Sequence, residues 1–183
     1  MPEGFPVGQL SFHISNEEIE VAGPAEAIDR YKEIPLGQID LRTLDIGMTE
    51  SFAVELPTGF VNTQNIQSVL VQLNSEGMVS KNFNVSTILI NNVPLNYQAT
   101  ATTQEIPNVK VVGPQSIVEN LVAGDIVATV DLEESSSIAS GQIELPVKIS
   151  IPKKGLVWAS GSYKAIISIA EQNGSQTTTE DET

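Results

Sequence analysis

The stretch Ile19-Glu20-Val21-Ala22-Gly23-Pro24 recurs 90 positions later as Val109-Lys110-Val111-Val112-Gly113-Pro114, with apolar and polar positions in the same order. Alternation of this kind is the period of a half-buried strand, and the Gly-Pro pair closes it with a turn. A repeat at this spacing organises the chain before any local reading begins. Each turn is followed by a short segment, Ala25 to Ile34 and Gln115 to Ala123, in which Ile28 matches Val118 and which has room for one or two helical turns.

Working outward, Gly37-Gln38-Ile39-Asp40-Leu41 matches Ala128-Thr129-Val130-Asp131-Leu132, each read as a strand ending in a polar loop. Phe52-Ala53-Val54-Glu55-Leu56-Pro57 aligns with Val147-Lys148-Ile149-Ser150-Ile151-Pro152, and Ser68-Val69-Leu70-Val71-Gln72-Leu73 with Lys164-Ala165-Ile166-Ile167-Ser168-Ile169. Upstream, Phe5-Pro6-Val7 matches Val93-Pro94-Leu95. Short strands between turn signals, in units of 85–90 residues, predict an all-β chain of two tandem small domains. The expected domains are 1–79 and 80–171, meeting near Ser75-Glu76-Gly77, with the linker short enough to hold them at a fixed angle. Asn82 to Ile90 reads as a strand leading the second copy, with no counterpart before the first. The first domain is therefore expected to lack its leading strand and to expose a sheet edge. Residues 172–183 lack the apolar content needed for ordering and are read as a disordered acidic tail.

Composition agrees with sheets. The chain has 183 residues, 40% of them hydrophobic and only 5% aromatic, so its core must come from Val, Ile and Leu. Its 23 acidic and 9 basic residues give a charge of −14, shared by both halves. Such a surface repels a nucleic-acid backbone and does not dock electrostatically on anionic lipid, although it is compatible with an anchor elsewhere in a parent protein. Cysteine is absent, which removes disulfides, thiolate nucleophiles and Cys-based metal sites. No apolar run approaches the roughly 20 residues of a membrane span, and Met1-Pro2-Glu3-Gly4 does not open a signal peptide. The chain is expected to behave as a soluble piece.

Candidate chemistry is sparse. His13 is the sole histidine and lies between Phe12 and Ile14 in an alternating strand, so it has neither the convergent base nor the ligand set that catalysis or metal binding needs. Asp131, Glu133 and Glu134 do not follow calcium-loop spacing and are expected in a solvated loop. Ser150-Ile151-Pro152-Lys153 matches Ser-x-x-Lys by letter, but the partner motifs of penicillin-recognising enzymes do not occur and a strand ending at Pro152 explains it. Asn84-Val85-Ser86 and Asn173-Gly174-Ser175 are sequons by letter only. Phosphate-binding Gly-rich loops are missing. The expectation is a non-enzyme with no catalytic residue, no cofactor, no metal and no small-molecule substrate.

The second copy resembles the YbbR domain family. The features that carry the resemblance are Val93-Pro94-Leu95-Asn96-Tyr97, the strand from Pro107 to Val112, the Gly113-Pro114 turn, the apolar Ile117, Val118 and Leu121, the Val130-Asp131-Leu132 strand, and a closing strand pair near Pro152 and Tyr163. The first copy shares the Ile19-to-Pro24 and Ile39-Asp40-Leu41 pieces, but has Gln9 where the second has Tyr97. The resemblance implies a small β fold with crossed-over strands, several such domains in tandem outside an N-terminal membrane helix of a bacterial parent, and regulation of a membrane-bound diadenylate cyclase without catalytic residues. The expected partner is thus a protein at the extracytoplasmic face of the membrane. The rival expectation is a cell-wall or carbohydrate-binding module, which needs Trp158, Tyr97 and Tyr163 together on one exposed face.

Overall fold

A computed structural model describes residues 7–134 and 139–172. The chain is built mainly of strands. In order these are β1 (Phe12–Ile14), β2 (Val21–Ala22), β3 (Thr49–Ala53), β4 (Val61–Asn62), β5 (Ser68–Leu73), β6 (Met78–Val85) and β7 (Ile88–Asn91). They continue as β8 (Tyr97–Ala101), β9 (Ile106–Pro114), β10 (Val127–Asp131), β11 (Gly141–Ser150), β12 (Trp158–Ser160) and β13 (Tyr163–Glu171). Two single-turn helices, α1 (Ala25–Ile28) and α2 (Gln115–Val118), follow the two Gly-Pro turns, where the sequence leaves room for them. Phe5, Pro6 and the expected tail from 173 onward lie outside the described residues.

The chain forms two compact units. The first takes residues 1–81 and also 110–120 and 153–160, two segments that the sequence reading places in the 80–171 domain. The second takes 82–109, 121–152 and 161–183. Strands β6 and β9 each carry residues of both units.

In the first unit, β1, β5 and β3 form an antiparallel sheet in that order. Alternation in β5 turns Val69, Val71 and Leu73 inward and Ser68, Leu70 and Gln72 outward. The core of this unit gathers Leu44 and Leu73 from the first copy with Val112, Leu156 and Trp158 from the second. Leu10, Phe12, Ile39, Leu41 and Met78 pack against it. The two sequence copies thus supply one core together. A two-stranded ribbon, β2 with β4, pairs Val21 with Asn62 and Ala22 with Val61. Its counterpart, β9 with β12, pairs Val111 with Ala159 and Val112 with Trp158.

The second unit is a five-stranded sheet in the order β7-β10-β11-β13-β8, with β7 and β10 parallel and the other pairs antiparallel. Ala165, Ile167 and Ile169 of β13 are buried, as are Val85, Val109, Ile126, Val130 and Leu132 of the same unit. Its β8-β13-β11 portion repeats β1-β5-β3 of the first unit. Pairing of Phe52 with Val69 and of Leu145 with Ala165 equates Phe52 with Leu145, two residues from the sequence alignment with Val147. An even shift keeps each side chain on its face, which is why hydrophobic pattern alone does not detect it.

Two expectations need correction. Gly37 to Leu41 forms no strand, although its counterpart is β10. The reason is pairing: β10 is held between β11 and β7, whereas 37–41 pairs with no described strand on either side. The expected strand over Asn82 to Ile90 is two strands, β6 and β7, broken at Ser86-Thr87.

Candidate functional site

Asp40 and Asp131 occupy matching positions and do matching work. Asp131 Oδ1 accepts the backbone N–H of Glu133 at 3.0 Å, and Asp40 Oδ1 accepts that of Arg42 at 2.9 Å. Each carboxylate therefore fixes a turn two residues on, with a leucine between. Asp131 also accepts Asn92 Nδ2 at 2.8 Å, and Glu133 is exposed. The Asp131 carboxylate is thus tied to turn formation. Among the described residues no group of three His, Asp or Glu side chains converges as a metal site. Arg42 also grips Asp40 with Nε and Nη2, at 2.9 and 2.6 Å from Oδ2. The side-chain hydrogen bonds and then the backbone bond from Arg42 hold the Asp40 carboxyl below the usual carboxylate range.

His13 lies exposed on β1 opposite Gln72, at the rim of a shallow groove that also includes Ser11, Asn74 and Glu76. Ser150 lies at the end of β11, not on a helix, and its Oγ reaches the Val127 carbonyl at 3.5 Å. Lys153 follows in a turn with φ of 63°. Asn84 accepts the backbone N–H of Asn108, while Asn173 lies outside the described residues. Trp158 is 3% exposed, so it is not part of an open aromatic face; Tyr97 and Tyr163 are half-buried.

The surface feature shared by both copies was not singled out in the sequence. Leu70 and Ile166 stand at the same position of the closing strands β5 and β13, and both are turned outward, 50% and 40% exposed. Their cross-strand neighbours are Ser51 and Glu144. The backbone of each is clamped by a hydroxyl residue just beyond the adjoining strand. Leu70 N–H donates to Ser15 Oγ at 3.0 Å and its carbonyl accepts Ser15 N–H at 2.9 Å. Ile166 N–H donates to Thr103 Oγ1 at 2.8 Å and its carbonyl accepts Thr102 N–H at 2.9 Å. The detectable signal was the apolar residue on the polar face of each alternating strand, together with Ser15 and Thr102-Thr103 in matching places. Among the described residues, no helix is long and apolar enough to cross a membrane.

No family model matches the chain, and no curated protein matches it. Among solved structures it is similar to the YbbR-like domain of the lmo2119 protein from Listeria monocytogenes, at 15% identity and a TM-score of 0.37, over 54% of this chain and 99% of that one. It is also similar to a YbbR-like protein from Streptococcus pneumoniae TIGR4, at 13% identity and a TM-score of 0.35, over 69% of this chain and 64% of that one. The chain thus spans less than two thirds of the streptococcal structure.

Proposed function

We propose that this chain is a non-catalytic interaction module whose two copies present outward sheet faces to a protein partner. The observation that carries the reading is the repeated Leu70 and Ile166 position. A large aliphatic side chain is kept outside in both copies while its backbone is fixed, and its cross-strand neighbours are polar. Exposed apolar side chains held on rigid strands can be buried in a complex at little entropic cost. The partner fits the YbbR resemblance drawn from the sequence: a membrane-bound diadenylate cyclase, engaged at the extracytoplasmic face by an anchored parent protein. A neighbouring anchor raises the effective concentration of such a partner.

Co-purification of the full-length parent with the cyclase, with cyclic dinucleotide output measured alongside, tests this reading. The double variant L70D/I166D is expected to lose association and alter output while keeping its fold. Unchanged association and output in a parent lacking residues 1–171 would overturn it. A wall-binding reading would be favoured by Trp158 on an exposed face, and Trp158 is 3% exposed.

A further inference from the structure

The five-stranded sheet of the second unit ends on two outer strands, β7 and β8, and they are finished differently. The exposed side chains of β8 are Gln98 and Thr100, both polar. On β7 the exposed apolar side chain is Leu89, 50% exposed between the half-buried Ile88 and Ile90. The β7 backbone is only half used. Its register sets Ile88 beside Ala128, and the Thr87 carbonyl accepts the Ala128 N–H at 2.9 Å. Because the N–H and C=O groups of successive strand residues point to opposite edges, residues 87, 89 and 91 turn theirs toward β10, and Ile88 and Ile90 turn theirs away. No described strand pairs on that side. Nor does β7 carry the charge or proline that commonly blunts a sheet edge.

We infer that a second copy of this chain pairs on this edge, β7 against β7, antiparallel about a two-fold axis through Leu89. In that register Ile88 faces Ile90 of the other copy, and each such pair exchanges both N–H···O=C bonds. Leu89 meets its own symmetry mate in the non-hydrogen-bonded position, where side chains stand closest and Cα atoms lie about 4.5 Å apart. One contact thus covers both exposed leucines. Charge selects this occupant. The chain carries −14, so two copies approach most readily where carboxylates are missing. Residues 77–104 carry Lys81 and no carboxylate, the longest such run in the chain. Every facing pair is uncharged: Thr87 with Asn91, Ile88 with Ile90, Leu89 with itself. Asp131, beside Asn91 on β10, is already engaged by Asn92 Nδ2. The contact presents the same strand from both copies, so it closes at a dimer. It is separate from Leu70 and Ile166 and does not depend on the cyclase reading.

The chain has no cysteine, so single-cysteine variants of the whole chain report the contact directly. Leu89→Cys puts two thiols on the axis, at a Cα separation that a disulfide accepts. Leu95→Cys is the control: Leu95 is 96% exposed and cross-links at least as fast if only random collision matters. In a glutathione redox buffer, L89C is expected to form the disulfide-linked dimer about tenfold faster than L95C, because pairing holds its thiols together. Adding Ile90→Pro removes an N–H from the open edge and leaves the β10 ladder whole, so it should return L89C to the L95C rate with an unchanged circular dichroism spectrum. A second measurement does not need the proline. Thr87 and Asn91 are both exposed, and a mixture of T87C and N91C should give mostly the mixed dimer, since each faces the other across the axis. L89C cross-linking no faster than L95C overturns the inference, and so does a statistical mixture of the T87C and N91C dimers.

Discussion

The indole Nε1–H of Trp158 donates to the backbone carbonyl of Leu44 at 3.0 Å, joining residues 114 positions apart inside one core. Truncation of Trp158 therefore removes both a large apolar volume and a buried donor. Trp158→Ala should cost about 3–5 kcal/mol. Trp158→Phe keeps most of the packing but leaves the Leu44 carbonyl without this donor, and should cost about 1–3 kcal/mol. Urea unfolding checks both, and the native emission of this sole tryptophan should be blue-shifted.

Glycines at equivalent turns should not be equally sensitive. A Cβ on Gly113 would meet the Leu156 backbone oxygen at 2.7 Å as well as the Val157 side chain, and backbone cannot yield cheaply. A Cβ on Gly23 would meet only the Phe60 ring, at 2.7 Å, and that ring can turn. At Gly124 nothing lies within 4 Å. Thermal melts of the three Gly→Ala variants should rank Gly113 as most damaging, by about 1–3 kcal/mol, Gly23 next, and Gly124 as close to neutral.

Asp40 gives a pH signature of known sign. Its carboxyl is held below the ordinary range in the fold, so its stabilisation is complete above the unfolded value near ~4 and is lost as pH falls through the lower folded value. The two side chains are 73% and 45% exposed, which limits the ion pair to below about 1 kcal/mol and makes it salt-sensitive. Asp40→Asn keeps an acceptor for the Arg42 N–H. The stability gap between wild type and D40N should be small at pH 7 and close in acid.

If the clamps at Ser15 and Thr103 are the same device, their removal should act alike in the two units. Ser15→Ala and Thr103→Val each delete the hydroxyl acceptor at a strand edge. Each should cost about 0.5–1.5 kcal/mol. Faster exchange at the Leu70 amide in one variant and at the Ile166 amide in the other is the site-resolved check.

Where partner and period agreed, the fold was legible in the sequence. Val69, Val71 and Leu73, like Ala165, Ile167 and Ile169, are buried as their alternation demands, and each Gly-Pro turn is followed by its short helix. Residues 37–41 show the limit. Ile39-Asp40-Leu41 has the same local signal as Val130-Asp131-Leu132, but strand formation depends on a ladder partner that the segment itself does not encode. Trp158 shows another limit, because nothing local distinguishes an aromatic bound for a distant core from one left at the surface. The Leu70 and Ile166 pair was visible as an apolar residue out of phase, yet its meaning depends on the clamps, which lie 55 and 63 residues away in sequence.

The assignment of 153–160 to the first unit also sets a timetable for synthesis. The ribosome finishes residue 81 long before Trp158 emerges, so the first unit must wait for about 80 further residues before its core can close. At ~5–20 residues per second that interval lasts several seconds. During it Leu44, Leu73 and their neighbours lack their final packing partners. A ribosome stalled, or a message truncated, anywhere between these points leaves residues up to 81 synthesised and their core unfinished.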